Sequence, residues 1–217
     1  MANGGRRVRT KDGPACPRCD ARLRGPSILS SGWHCPDHGE VTPLWPTLSA
    51  SRAGLSGILR GAAVPVWLPW PLPDGWLVTG FAGAGDECSG TKGCAVALSG
   101  PSPAGGLAEL LVVSEDPRVG LGCRFAGLDG LDPGAHLTVG PPAAAVRLGG
   151  HELPLWRVQV PGRAAFAGEV MGTWLWLVLW PRTAGAVLDK PLRLRDLRDP
   201  GQELDLPYGA PSPQLPR

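Results

Sequence analysis

The fold class is decided by one apolar stretch, Trp174-Leu-Trp-Leu-Val-Leu-Trp180, which has the length of a single buried strand. In an extended chain its three indoles share one side, and Leu175, Leu177 and Leu179 share the other. A strand that is apolar on both sides must be covered on both faces. The stretch therefore predicts a central strand between two packed layers.

Similar short runs recur from residue 76 onward, separated by turns that contain glycine or proline. Only one convincing helix accompanies them, so hairpins between antiparallel strands are the simplest connection. The predicted fold class is α+β, predominantly antiparallel β-sheet, with a small N-terminal zinc ribbon. The predicted strands span residues 76–81, 95–99, 110–114, 144–148, 155–160, 164–168, 174–180 and 192–197.

A segment rich in proline and tryptophan precedes the strands, Val64-Pro-Val-Trp-Leu-Pro-Trp-Pro-Leu-Pro-Asp-Gly-Trp76. Proline fixes φ and lacks the N–H of a sheet ladder, so the segment is predicted to be extended and excluded from the central strands. We expect it to lay its indoles onto the core; the alternative is a ligand for the aromatic groove of another protein. A short helix capped by Ser49 or Ser51 is expected before it.

Two near-copies of one short motif lie close to the N-terminus, Cys16-Pro-Arg-Cys19 and Cys35-Pro-Asp-His38. Their spacing is that of a zinc ribbon with histidine in the last place. Each pair is followed by a residue suited to a positive φ, Gly39 with ease and Asp20 with less ease. The pattern predicts one structural Zn²⁺ without an open coordination position, bound by Cys16, Cys19, Cys35 and His38.

Two neighbours of the second motif leave alternatives open. His34 adjoins Cys35 and is an alternative fourth ligand, although His38 has the two-residue separation that closes the turn. Trp33 is expected to shield the site, and the alternative is stacking on a nucleic-acid base. Because about forty residues bury too little apolar surface to fold alone, the segment is expected to unfold without metal.

Composition and charge restrict the function classes. Gly 32 and Pro 25 exceed a quarter of 217 residues, yet 43% hydrophobic residues and nine Trp indicate a folded, turn-rich chain. The positive excess lies beside the cysteines, where residues 1–45 carry seven basic and four acidic side chains, and three net charges are too few to predict nucleic-acid binding. Since no signal peptide is visible and the most apolar run, residues 170–181, is too short to cross a bilayer, we expect a cytoplasmic protein without membrane contact.

The domain organisation follows from these segments. A stiff hinge, Pro43-Leu-Trp-Pro46, ends the ribbon, and the proline-rich end of the chain is expected to be loose. The basic residues at 6, 7, 9 and 11 are expected to form a solvated tail. The predicted units are a flexible tail at 1–13, a zinc ribbon at 14–46, a short helix and linker at 47–63, an antiparallel β-rich domain at 64–206 and a flexible tail at 207–217.

Two stretches approach catalytic motifs without completing them. A phosphate-binding loop is approached by Gly85-Asp-Glu-Cys-Ser-Gly-Thr-Lys92, but Thr and Lys are exchanged, so a hairpin loop is predicted. His151-Glu152 begins like a zinc-protease motif, but Pro154 prevents the helix, and a turn is predicted. Neither stretch predicts an active site.

Three cysteines lie outside the zinc motif. Cys88 and Cys94 flank the hairpin loop and could face each other, whereas Cys123 lies alone in a glycine-rich stretch. We expect buried or idle thiols here; the alternatives are catalysis or a second metal.

Several long strings carry a family resemblance, in addition to the two cysteine motifs and the proline-tryptophan segment. They are Gly75-Trp-Leu-Val-Thr-Gly80, Ala95-Val-Ala-Leu-Ser-Gly-Pro101, Trp174-Leu-Trp-Leu-Val-Leu-Trp-Pro181 and Arg195-Asp-Leu-Arg198. With these, nearly the whole chain resembles an uncharacterised protein family of high-GC Gram-positive bacteria. The resemblance implies a domain of unknown function, a cytosolic location and metal binding, but no substrate. Asp20 departs from the glycine usual in such relatives and removes no ligand.

These observations predict a non-enzymatic protein-interaction or regulatory module that has a closed zinc site and a protein partner. The alternative is a small-molecule enzyme or accessory subunit whose pocket lies between ribbon and sheet, with residues such as Asp86, His151 or Glu169. A third alternative is weak nucleic-acid binding through the ribbon, which requires the basic tail and Trp33 on one exposed face.

Overall fold

The computed structural model describes residues 13–28, 30–199 and 205–216. The basic positions 6, 7, 9 and 11 lie outside these residues. The helices are α1 (Arg52–Leu59) and α2 (Leu121–Ala126), with 3-10 helices at Gly134–His136 and Arg182–Leu188. The strands are β1 (Trp33–Cys35), β2 (Gly39–Val41), β3 (Trp67–Pro69), β4 (Leu77–Asp86), β5 (Gly90–Pro101), β6 (Leu107–Glu115), β7 (Ala144–Leu148), β8 (His151–Val158), β9 (Ala164–Val170), β10 (Thr173–Trp180) and β11 (Leu192–Asp196).

Nine of these strands form one sheet, in the order β3-β11-β7-β8-β9-β10-β6-β5-β4, and β1 and β2 form a separate hairpin. The predicted α+β class with a mainly antiparallel sheet is confirmed, and each of the eight predicted runs overlaps a strand of this sheet. One pairing departs from the expected hairpins, because β11 lies parallel to β7. No helix of the described chain is long and apolar enough to cross a membrane.

The central position of β10 is confirmed. It lies between β9 and β6 and is covered on both faces. Leu175, Leu177 and Leu179 belong to one core, while Trp176 and Val178 belong to a second core on the opposite face. Alternation of side chains along the strand thus divides the protein into two apolar layers, as the sequence predicts.

The proline-tryptophan segment packs onto the first of these cores. Trp67 and Trp76 are buried there, and Trp70 is half-buried against the same cluster. The segment also forms β3, the outermost strand beside β11, in which Pro69 is opposite Leu194. An edge position suits proline because no further strand needs its missing N–H.

The predicted short helix is α1, and Ser51 is its N-cap. The Ser51 hydroxyl accepts a hydrogen bond from the backbone N–H of Gly54 at 3.1 Å. Ile58 is buried in the core next to β4, where its side chain lies over Gly83. Packing on this face supports a helix that its two interior glycines would otherwise weaken.

The structure differs from the sequence-based expectations at three points. His151-Glu152 does not form a turn but begins β8, since Gly149 and Gly150 supply the turn with φ of 53° and 91°. The short helix α2 was not predicted, because six residues are too few to show helical periodicity. The end of the chain, expected to be loose, makes contacts with the sheet and the core within residues 207–216.

This C-terminal segment runs beside β4. Tyr208 bridges to Val78 in parallel register, and the backbone N–H of Ser212 donates to the Thr79 carbonyl at 3.0 Å. Leu215 is buried in the second core, 4% exposed. Proline content predicted a loose tail, but backbone hydrogen bonds and one buried leucine hold the segment in place.

Candidate metal centre

The structure brings the four predicted ligands together. One donor atom from each of Cys16, Cys19, Cys35 and His38 lies within 4.8 Å of all the others. The Sγ atoms of Cys19 and Cys35 are 3.6 Å apart, and His38 Nδ1 lies 3.5 Å from Cys35 Sγ and 3.6 Å from Cys16 Sγ. Three sulfurs and one nitrogen therefore converge on one point.

These separations fit a tetrahedral ion of the size of Zn²⁺. Bonds of about 2.3 Å to sulfur and about 2.0–2.1 Å to nitrogen give tetrahedral edges of roughly 3.8 Å between sulfurs and 3.6 Å between sulfur and nitrogen. Thiolate sulfur and imidazole nitrogen are donors that suit zinc, whereas Mg²⁺ and Ca²⁺ prefer oxygen donors. A fourth protein ligand fills the last position of such a tetrahedron, which is typical of structural rather than catalytic zinc sites.

Each Cys/His pair is held by a turn that ends in a residue with positive φ, Asp20 at 63° and Gly39 at 67°. The two turns thus have matching conformations, as the near-copied motifs predict. Asp20 adopts a conformation that asparagine and aspartate tolerate better than most residues with a side chain. Aspartate at this position thus adopts nearly the same positive φ as Gly39 in the second turn.

Burial and backbone donors shift the acidity of two ligand thiols in opposite directions. Burial raises the pKa of Cys16 to about 11, partly offset by the N–H groups of Arg18 and Cys19. Burial also opposes ionisation of Cys35, but the N–H groups of Asp37 and His38 and the His38 ring lower its pKa to about 7. A divalent cation at the centre would favour the thiolate form of both.

The two aromatic neighbours of Cys35 have different surroundings. His34 Nδ1 is 3.3 Å from the Ser30 hydroxyl and 3.2 Å from the Gly32 carbonyl, away from the four-donor cluster. Trp33 packs on the small core around Cys16 and Cys35 and meets Trp45 edge to face, with ring centroids 5.8 Å apart. The structure therefore places His38, not His34, beside the three sulfurs.

Backbone bridges fasten the N-terminal segment, residues 13–46, to the sheet. Ala15 and Leu44 exchange two backbone hydrogen bonds of 2.8 and 2.9 Å, and Leu44 in turn bridges to Ala84 of β4. The Trp45 N–H donates to the Gly83 carbonyl at 3.0 Å, and its indole donates to the Gly85 carbonyl at 2.7 Å. The candidate ligands consequently lie on an extension of the sheet's edge strand β4.

Arg124 of α2 adds a second attachment. Its guanidinium is 3.1 Å from the Asp20 carboxylate and donates to the Cys16 carbonyl at 3.4 Å. Sequence reasoning missed Arg124, and the only local signal is a short run bounded by the positive-φ glycines 120 and 127. Arg124 thus contacts both the backbone of Cys16 and the side chain of Asp20, the residue that follows Cys19.

A cleft lies between the N-terminal segment and the sheet, as one alternative predicts, but of the three residues named for it only Asp86 lines that cleft. Asp86 lines a cleft of about 410 Å³ beside the N-terminal segment, and it also caps its hairpin by accepting from the N–H of Ser89 at 2.7 Å. His151 and Glu169 line a separate, larger cleft of about 860 Å³. Trp67 contributes to that second cleft.

The other three cysteines lie apart from the candidate metal centre. Cys94 is buried opposite Gly83, its thiol donates to the Pro65 carbonyl at 3.1 Å, and burial raises its pKa to about 12. Cys123 is buried in α2, where burial raises its pKa to about 12. Cys88 is exposed in the hairpin turn, and every cysteine of the described chain is a free thiol.

Fold and site together define a β-rich protein in which a Cys3His segment is clamped to the edge of a nine-stranded sheet. A protein-family model described as a family of unknown function, DUF6758, matches residues 10–215, and the chain belongs to that family. No curated protein and no solved structure matches the chain.

Proposed function

We propose that this protein binds one structural Zn²⁺ and acts as a non-enzymatic protein-interaction or regulatory module of the cytoplasm. The observation that carries the proposal is the convergence of four soft donors within 4.8 Å, in a set that leaves no position for a substrate. A reducing compartment keeps such thiols available as ligands, which favours the cytoplasm. The ligands would be Cys16, Cys19, Cys35 and His38.

Bound zinc would supply positive charge that holds three thiolates and an imidazole together. The chain supplies the two turns, the N–H groups that face the sulfurs, and the Nδ1 atom of His38, whose proton then resides on Nε2. The small core under the site contains few side chains, chiefly Leu23, Val41 and Trp33. Metal binding therefore contributes folding free energy that this core alone does not provide.

A protein partner is part of the proposal, and the N-terminal segment is its suggested contact. Ile28 is fully exposed at the outer loop of this segment, 102% of its reference area. Packing of Trp33 against Trp45 supports shielding of the metal rather than base stacking, so we propose no nucleic-acid partner.

Elemental analysis of tag-free protein tests the metal. We expect one zinc per chain in the wild type and less than half of that in Cys19→Ser, which removes one of the four donors. The matched control is Cys88→Ser, since Cys88 is an exposed free thiol like Cys19 but lies in the hairpin turn. Absence of stoichiometric metal from the wild type would contradict the proposal.

Affinity purification from the native cytosol tests the interaction. We expect a protein to be retained by the wild type and lost from Ile28→Asp, while Leu107→Asp, which changes another exposed apolar side chain, retains it. Recovery of small metabolites alone would remove the interaction module from consideration. Retention of zinc by Ile28→Asp shows that the variant has kept its fold.

One observation favours a second candidate, a small-molecule enzyme or accessory subunit. The cleft of about 860 Å³ has the size of a ligand pocket and combines the Trp67 side chain with His151, Glu169 and Arg195. A thermal-shift screen of metabolites tests this candidate. A hit that is lost in Glu169→Gln but kept in Asp86→Asn, in the other cleft, would support it.

A further inference from the structure

Three arginines meet at one end of the large sheet, far apart in sequence from the cysteine motifs. The strands β8, β9 and β10 are neighbours and antiparallel, so the end of β8, the start of β9 and the end of β10 lie at the same edge. Arg157 lies near the end of β8, Arg163 immediately precedes β9, and Arg182 follows β10. Together they line a cleft of about 410 Å³.

The cleft lacks compensating negative charge. Its remaining lining is neutral, with Thr138 and Gln159 as the polar side chains. Within residues 13–28, 30–199 and 205–216, no carboxylate pairs with Arg157, Arg163 or Arg182, whereas four other arginines form ion pairs. Like charges in a partly enclosed cleft focus a positive potential and attract anions.

Two of the arginines are held in place by contacts that leave their charge unpaired. The Arg163 guanidinium lies over the Trp180 ring at 5.3 Å and donates to the Phe125 carbonyl at 2.6 Å. The Arg157 guanidinium lies over the Phe166 ring at 5.4 Å. Contact with an aromatic ring holds the guanidinium plane in place and leaves the N–H groups at its edge free to donate hydrogen bonds.

Arg163 carries a further sign of an incomplete environment. Its Nε is buried and has no hydrogen-bond partner in the described part of the chain. A buried donor without a partner carries a desolvation cost in the free protein. An anion in the cleft would in addition offset the repulsion among the three guanidinium groups.

We propose that this cleft, which we call the arginine cleft, binds a small molecule that carries a phosphate or polyphosphate group. Phosphate offers several acceptor oxygens and up to two negative charges, so it can accept from more than one guanidinium at once. The volume of about 410 Å³ lies within the range of small-ligand pockets. This inference goes beyond the proposed function, because no metal ligand or Ile28 contributes to the cleft.

Calorimetric titration of the zinc-loaded full chain at low ionic strength tests the proposal, with inorganic phosphate, pyrophosphate and citrate as probes. We expect saturable binding of pyrophosphate at one site per chain, with phosphate weaker. Loss of one charge-assisted hydrogen bond predicts about 10- to 100-fold weaker binding in Arg182→Gln and in Arg157→Gln. Arg182 is exposed, so its variant should fold normally.

Arg193→Gln is the matched control, since Arg193 is an exposed arginine on β11 outside the cleft. Equal affinity of this variant and the wild type is expected. The proposal would be overturned by absence of saturable pyrophosphate binding or by an equal loss in Arg193→Gln. Citrate binding as tightly as pyrophosphate would overturn the assignment to phosphate. Failure here leaves the zinc content unchanged and thus differs from failure of the proposed function.

Discussion

Arg124 of helix α2 and Asp20 of the first cysteine turn form an ion pair of 3.1 Å, which joins the second core to the candidate metal centre. Their side chains are 17% and 38% exposed, so solvent screens this pair less than a pair on the open surface. The same guanidinium contacts the Cys16 carbonyl. The conformation of the first turn therefore depends on a helix that lies far away in the sequence.

We predict that Arg124→Gln releases zinc to a chelator several-fold faster than the wild type, because the first turn loses its charged attachment. The expected loss of stability is about 1 kcal/mol, as for a partly exposed ion pair. A chromogenic chelator under excess measures the release rate. Arg147→Gln is the control, since it breaks the more exposed pair of Arg147 and Glu152 at 2.6 Å. Equal release rates in the two variants would contradict the attachment.

The two histidines beside the second motif provide a paired test of the ligand set. His38→Ala is expected to reduce zinc content well below one ion per chain, because three sulfurs remain around the site. His34→Ala is expected to keep full zinc content, because its ring contacts Ser30 and Gly32 instead. Elemental analysis after dialysis measures both. Loss of metal in His34→Ala but not in His38→Ala would show that His34, not His38, is the fourth ligand.

Local patterns explain why the cluster of four candidate ligands and the strands could be predicted from the sequence. Two residues between ligands fix the geometry of each turn, so the site requires only that the two turns come together in the folded chain. The alternating leucines and tryptophans of Trp174 to Trp180 require two covered faces wherever the strand lies. Neither inference depends on which strands become neighbours.

Contacts between distant parts of the chain explain what the sequence did not show. The pair of Arg124 and Asp20, the parallel alignment of β11 with β7, and the arginine cleft all arise only when the sheet is assembled. The packing of the C-terminal segment is not evident from the sequence for a different reason. Proline content signals poor helix and strand formation, but it does not prevent an extended segment from packing through Leu215.

Leu215 provides the test of that packing. We predict that Leu215→Ala lowers the free energy of unfolding by about 2–4 kcal/mol, since it leaves a cavity beside Gly80 in the second core. Urea denaturation measures the change. Leu107→Ala, at a leucine that is 77% exposed, should change stability by less than about 0.5 kcal/mol. Similar small effects in both variants would indicate that the C-terminal segment is loose, as its proline content suggests.

Glu115 predicts a pH dependence of stability. The side chain is fully buried and accepts from the N–H groups of Leu121 and Gly122 at 2.6 and 3.0 Å. Burial nevertheless raises its pKa from 4.5 to about 7. Between these values the folded chain retains a proton that the unfolded chain has released, so this carboxyl's contribution to stability falls as pH rises through the window and is constant above it.

Urea denaturation at about pH 5 and about pH 7.5 measures this effect. Glu115→Gln cannot titrate, so the stability difference between wild type and variant should change in favour of the wild type at the lower pH. The comparison is made between proteins at each pH, because the thiol ligands also respond to acid. Glu152→Gln, at an exposed carboxyl on β8, serves as control. A pH-independent difference for Glu115→Gln would contradict the raised pKa.

Gly122 controls how closely α2 approaches the central strand. A Cβ at this position would lie 2.2 Å from Nε1 of the fully buried Trp176, so Gly122→Ala must displace either the helix or the indole. Alanine favours helix by up to about 1 kcal/mol over glycine, but overpacking costs about 1–3 kcal/mol, and a net loss of stability is expected.

The displacement should extend to the metal centre, because α2 also carries Arg124. We therefore expect Gly122→Ala both to unfold at lower urea concentration and to release zinc faster than the wild type. Gly61→Ala is the matched control, since the nearest atom to its added Cβ is Thr91 Oγ1 at an ordinary 3.7 Å. Reduced stability with unchanged zinc release would show that displacement of α2 does not affect the metal centre. The contact between Arg124 and Asp20 would then have a minor role in zinc retention.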